Sequence, residues 1–216
     1  MYRWHLFPFN PFWLAHVPTN RQNFSFPQHV AIDSAVSNAR DVADENRNAF
    51  FFDAFVDPQK KFADVVIQVL PTQLIPDDNE GKILRVRMIM KEGVKFFDTP
   101  YLFDEGSTIS WIPCGRKLTC SYPGIKFFYG PDTFYGEEVS VLEMDGQFDK
   151  LEELIYVESL LSNTSTKFYG ELTQQMLKYQ NGPGSNNGTG FFQTLVGLKV
   201  RELYEKIAET EVVVAK

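Results

Sequence analysis

Ile83-Leu84-Arg85-Val86-Arg87-Met88-Ile89-Met90 alternates, with Leu84, Val86, Met88 and Met90 on one side of an extended chain and Arg85 and Arg87 on the other. Period two belongs to a strand, because successive side chains leave a pleated backbone on opposite faces. The octet therefore reads as a strand with one face in a core and one face polar. Upstream, Val65-Val66-Ile67-Gln68-Val69-Leu70 is a buried-strand run stopped by Pro71, and Pro76-Asp77-Asp78-Asn79-Glu80-Gly81 is turn chemistry between the two. Downstream, Glu92-Gly93 turns the chain, and Val94 to Phe97, Thr108 to Ile112, Leu118 to Tyr122, Ile125 to Tyr129 and Glu138 to Met144 continue the series until Asp145-Gly146. In the Ile125–Tyr129 piece, Lys126 and Phe128 share one face, and Phe127 and Tyr129 the other. Short pieces about ten residues apart, punctuated by Gly or Pro, predict an antiparallel meander, sandwich or barrel over residues 62–144.

Helical spacing flanks this block. Ile32, Ala35, Val36, Ala39, Val42 and Ala43 predict a helix within 29–57, closed by Pro58. Four phenylalanines (50, 51, 52 and 55) crowd its end and cannot all face one side. Residues 147–210 read as helices. Phe148, Leu151, Leu154, Ile155 and Leu161 form one stripe; Ser165 is the expected cap of a second helix carrying Phe168, Leu172, Met176 and Tyr179. After the loop Asn181 to Gly190, a last helix carries Phe192, Val196, Val200, Leu203 and Ile207, and the tail Val212-Val213-Val214 looks strand-like. Strands followed by helices imply an α+β fold: a sheet or partly closed barrel of about six or seven strands, an N-terminal helix and C-terminal helices. The expected organisation is an extended arm, 1–28, before a single domain, 29–216.

The arm holds Trp4, Phe7, Phe9, Phe12, Trp13, Phe24 and Phe26 among prolines 8, 11, 18 and 27. Proline excludes a long helix or central strand there, yet so much apolar area must lie on something. Aromatics form 15% of the chain, with Phe 20, Tyr 9 and Trp 3, which either fills a β-rich core or supplies contacts to another molecule.

Composition excludes several classes. Hydrophobic residues at 44% and charged residues at 23% suit a folded globular chain. A net charge of −7 argues against general phosphate-backbone binding. No apolar run reaches the ~18–20 residues that span a bilayer, and prolines break up the N-terminus where an uninterrupted apolar leader segment would be needed. Two cysteines, Cys114 and Cys120, fit a reducing compartment. They bracket five residues and would meet across a short hairpin, but reduced thiols are the simpler expectation.

The catalytic patterns fail on inspection. Gly182, Gly184, Gly188 and Gly190 precede a helix, but no Gly-Lys-Ser/Thr follows and no strand precedes, so neither a P-loop nor a dinucleotide loop is formed. Asp77-Asp78-Asn79-Glu80-Gly81 lacks EF-hand spacing. All three histidines (5, 16 and 29) lie in or beside the irregular arm, away from both cysteines in sequence. Glu137, Glu138, Glu143, Asp145, Glu152 and Glu153 read as solvated carboxylates rather than a glycosidase pair. The basic-aromatic stretch Arg116 to Tyr129 suggests a nucleic-acid-binding sheet, which the acidic surroundings oppose.

The expectation from the sequence is a non-catalytic structural or accessory subunit of a larger assembly, for example a virion protein or an organellar complex subunit. It would dock on protein subunits through Trp4, Phe7, Phe9, Phe12 and Trp13. The alternative is a small-ligand-binding β-barrel with Phe96, Trp111 and Phe128 in its lining. No cofactor, metal, membrane span or nucleic-acid partner is expected, and an intracellular or virion setting is favoured over secretion.

Overall fold

The computed structural model describes residues 30–34, 57–76, 83–94, 97–103, 105–111 and 118–214. In chain order these form β1 (Val30–Ser34), α1 (Asp57–Lys60), β2 (Val65–Pro71), β3 (Leu84–Lys91), β4 (Tyr101–Leu102), β5 (Thr108–Trp111), β6 (Cys120–Phe134) and β7 (Glu137–Phe148). A 3-10 turn (Leu151–Glu153), α2 (Leu154–Glu158), β8 (Leu161–Ser162), α3 (Glu171–Leu177) and α4 (Gly188–Val214) complete the series. Six strands make one sheet in the order β1-β2-β3-β7-β6-β5, while β4 and β8 pair separately. β1 runs parallel to β2, and the other neighbours are antiparallel. The antiparallel sheet and the C-terminal helices agree with the expected α+β class. Among the described residues β1 and β5 are the outer strands of this sheet, and no pairing joins them.

Alternation along β3 sets the layers. Met88 lies opposite Ile67 on one side and Leu142 on the other, which aligns three strands on one face. Val86, Met88 and Met90 are buried there with Ile67, Phe127, Leu142 and Met144. Leu154 and Val157 of α2, Leu172 and Met176 of α3, and Phe191, Phe192 and Leu195 of α4 cover them. The Phe127 ring meets Phe191 edge-on at 5.9 Å and Phe148 at 6.1 Å. Each such fully buried side chain contributes about 1.5–3 kcal/mol. Gly188 lets α4 approach closely, since a Cβ there would sit 2.7 Å from the Val86 Cβ. The opposite face is apolar at one end only, where Ala63, Val66, Ile89, Val139 and Val141 cluster.

Several expected boundaries move. Val30–Ser34 is a strand rather than the start of a helix, because its alternating residues pair with the apolar run of β2. β7 continues through Asp145-Gly146 to Phe148, since β6 goes on pairing beyond them. Ser165 caps no helix: it has φ 60 and donates from Oγ to Glu202, while α3 starts after Gly170. α4 begins inside the Gly-rich segment, with the Asn187 side chain accepting from the Thr189 N–H at 2.8 Å, and it runs on through Val212–Val214 in place of a strand. The arm at 1–28 and most of the expected 29–57 helix lie outside the described residues. No described helix is long and apolar enough to cross a membrane.

Candidate functional site

A cleft of about 740 Å³ opens where the end of β7 meets the loop entering α4. Gln147, Asp149, Lys150 and Glu152 form one side, Gln180, Asn181, Gly182, Ser185 and Asn186 the other, and Ser121 closes one end over Phe148 and Leu151. The walls are tied together. The Phe148 N–H donates to the Asn186 carbonyl at 2.8 Å, the Asn186 amide to Gln147 at 3.2 Å, and the Ser185 hydroxyl to the Gln180 carbonyl at 2.8 Å. Ser121 donates to Asp149, and no described histidine stands by to make that pair a nucleophile and base. Hydroxyls, amides and two carboxylates suit hydrogen bonding to a polar molecule. Lys150 alone among the lining is cationic, against Asp149 and Glu152, so the cleft is poorly matched to a phosphate.

Carboxylates anchor the chain around this cleft and behind it. Glu153 accepts from the Thr119 N–H and, at 2.8 Å, from its hydroxyl. Asp145, buried at 2% exposure, accepts from the Thr72 hydroxyl at 2.6 Å and the Gln73 N–H at 2.8 Å. Cys120 is a buried free thiol whose pKa is pushed up by burial and by the nearby charges of Asp149 and Glu153, which suppresses the reactive thiolate. Cys114 lies outside the described residues.

A second charged cluster joins α4 to the chain before α3. The Glu171 carboxylate is nearly buried and accepts from Arg201, whose hydrogen bond holds its pKa down. Lys199 is 2% exposed, lies 3.4 Å from Glu202 and 5.9 Å from the Phe97 ring centre, and burial pushes its pKa down. Burial alone would raise the pKa of Glu202. Hydrogen bonds from Lys206 and Ser165, with the Lys199 charge, outweigh it and hold the carboxyl at about 2 against the ordinary 4.5. A folded-state pKa below the unfolded one means stability present above 4.5 and lost as pH falls toward 2. Glu202→Gln is therefore expected to be less stable than the parent at neutral pH. The two should converge between pH 4.5 and 2 when denaturation is followed at each pH. A difference independent of pH would refute this.

On the sheet face away from the helices, β-register lines up Gln68, Arg87, Glu143 and Phe128 across four strands. Arg87 donates to Gln68 at 3.3 Å and to Asp132 at 2.5 Å and forms an ion pair with Glu143 at 3.2 Å, and Arg85 lies 3.5 Å from Glu143. Cations and carboxylates balance, so this lane reads as internal pairing. No described group of three or more His, Cys, Asp or Glu side chains is arranged to hold a metal.

Among the expected site residues, Trp4, Phe7, Phe9, Phe12, Trp13 and Phe96 lie outside the described residues. The Trp111 backbone pairs with Ile125 on the β5 edge, and Phe128 is half-buried on the charged face, opposite the helices and Phe127. Phe128 is not among the residues that line the cleft. The cleft residues come from segments about 30 positions apart, carry no spacing motif, and gave no sequence signal beyond turn composition.

No family model matches the chain. Among curated proteins, it is similar to the chloroplastic phosphoribulokinase of Triticum aestivum, with 80% identity over 156 residues, covering 72% of this chain and 39% of the relative. The chloroplastic phosphoribulokinase of Chlamydomonas reinhardtii is 79% identical over 162 residues, 75% of this chain and 43% of the relative. The phosphoribulokinase of Synechocystis is 64% identical over 162 residues, 74% of this chain and 48% of the relative. The chain thus spans less than half the length of these relatives. Relatives this similar are named as enzymes, which overturns the expected non-catalytic assembly subunit, its virion setting and its subunit partners. It overturns the ligand-binding barrel as well.

Proposed function

We propose that this chain functions in phosphoribulokinase catalysis, the transfer of a phosphoryl group to a phosphorylated ribulose, in the chloroplast. The observation that carries the reading is identity of 64–80% sustained over 156–162 residues. Identity at that level over a stretch this long supports a common fold and a common role, because close-packed cores tolerate little independent change. Phosphoryl transfer depends on positioning and on cations that neutralise developing charge. The sequence contains no Gly-x-x-x-x-Gly-Lys-Ser/Thr loop, and the polar cleft carries Lys150 against two carboxylates. In this reading the sheet and its helices act as a supporting frame for the reaction rather than as its phosphate cradle.

The test is a graft. The matched residues of the Triticum aestivum enzyme are replaced by those of this chain, and phosphorylation of the ribulose phosphate is assayed. Activity within about tenfold of the intact relative is expected, a loss of under ~1.4 kcal/mol in transition-state stabilisation. A graft that melts cooperatively like the parent but transfers no phosphoryl group would overturn the reading.

A further inference from the structure

Three places in the chain set Asn or Asp directly before Gly: Asp145-Gly146, Asn181-Gly182 and Asn187-Gly188. Such a pair carries a reaction of its own. No side chain crowds the Gly nitrogen, so it can reach the carbonyl carbon of the preceding side chain. Ring closure needs that side chain free and the backbone able to turn. Packing therefore decides which of the three pairs reacts.

The structure separates them. Asp145 is 2% exposed, with one oxygen on the Thr72 hydroxyl and the other on the Gln73 N–H, and Gly146 lies within the paired strand β7. Asn187 is 3% exposed, and its side-chain oxygen accepts from the Thr189 N–H at 2.8 Å. Its own N–H donates to the Gly184 carbonyl at 3.3 Å, and the next residue, Gly188, packs its backbone against Val86. Freeing Asn187 would unwind the start of α4. Asn181 and Gly182 are instead both exposed, in the turn between α3 and α4, and both line the polar cleft. Among the described residues nothing bonds the Asn181 side chain. The Gly182 N–H donates to the Tyr179 carbonyl at 2.8 Å, but that bond lies at the surface, where opening costs little.

We propose that Asn181 is a site of spontaneous deamidation, and that the fold protects Asn187 and Asp145 from the same chemistry. The Gly182 nitrogen gives its proton to water and bonds to the Asn181 Cγ; the Cγ–Nδ2 bond breaks, and ammonia leaves. Water then opens the five-membered ring. Cleavage at Cγ yields aspartate, and cleavage at the Asn181 backbone carbonyl yields isoaspartate, which lengthens the main chain by one carbon. Either product sets a third carboxylate beside Asp149 and Glu152, with Lys150 as the cation of that lining. The inference does not depend on which reaction the chain serves.

The test holds the folded chain in heavy-oxygen water at mildly alkaline pH, well below its melting midpoint. Each ring opening takes one oxygen atom from the solvent, so peptide mapping by mass spectrometry reads all three sites on one scale. Label should enter at Asn181 at least about tenfold faster than at Asn187 or Asp145. The same incubation in denaturant should bring Asn187 up to the rate of Asn181, since the two share the dipeptide and differ in packing. Label entering Asn187 or Asp145 of the folded chain as fast as Asn181 overturns the inference. So does a folded chain that takes no label at Asn181, or a denatured one in which Asn187 still lags.

Discussion

Gly146→Ala is expected to destabilise the fold by at least about 3 kcal/mol, lowering the melting midpoint by roughly 6–12 °C. Two costs meet at this position. Gly146 has φ 110, a conformation that side-chain-bearing residues avoid. An added Cβ would also lie 2.3 Å from the Gly124 carbonyl oxygen and 3.1 Å from the Ile125 Cα. Both are backbone atoms of β6, so no side chain can swing aside. The register between β6 and β7 shifts between Cys120 and Ile125, and Gly146 faces Ile125 at the point where regular pairing resumes. Gly136→Asn separates the two costs. Gly136 turns the β6–β7 hairpin at φ 82 with nothing within 4 Å of a Cβ, and asparagine tolerates that conformation. That variant should lose less than about 1 kcal/mol. Equal losses at both positions in thermal melts would show that the clash with Gly124 is not felt.

Glu158→Ala is expected to cost about 3 kcal/mol. The Glu158 side chain, in a residue 6% exposed, accepts from the Leu172 N–H at 3.0 Å, the Thr173 N–H at 3.1 Å and the Thr173 hydroxyl at 2.8 Å. It thus satisfies the open N–H groups of the first turn of α3 from α2, where the Gly170 N-cap has no side chain to do so. Alanine strands three buried donors. Glu158→Gln keeps one carbonyl oxygen as acceptor and should recover about half of the loss. Hydrogen exchange gives the specific signature: the α3 amides should lose protection more than those of β3. A uniform loss across both elements, or none, would refute the capping role.

The sheet was legible because period two leaves an unambiguous trace. Leu84, Val86, Met88 and Met90 were assigned to one face, and the last three are buried together in the core, with Leu84 packed against it. The split of Phe127 and Tyr129 from Lys126 and Phe128 also holds, because register forces it. Ser165 shows where local reading stops. A serine ahead of an apolar run resembles a cap, but its hydroxyl serves Glu202, 37 residues away. The functional expectation failed for a related reason. The residues that build this core and tie down its loops carry no chemistry-specific motif. The aromatic surplus that suggested assembly lies partly in the core, in Phe127, Phe148, Phe191 and Phe192.

The sequence by itself determined that antiparallel strands would alternate around an apolar face and that helices would follow to cover it. That information is local, written in the two periods at which side chains return to the same side of the backbone. Only the tertiary structure decided strand order, which strands lie outermost, and which carboxylates cap and anchor distant segments. Those depend on partners far apart in the chain. Glu158 is read by Thr173, Asp145 by Thr72 and Glu171 by Arg201, and no spacing rule links such pairs until packing has brought them together.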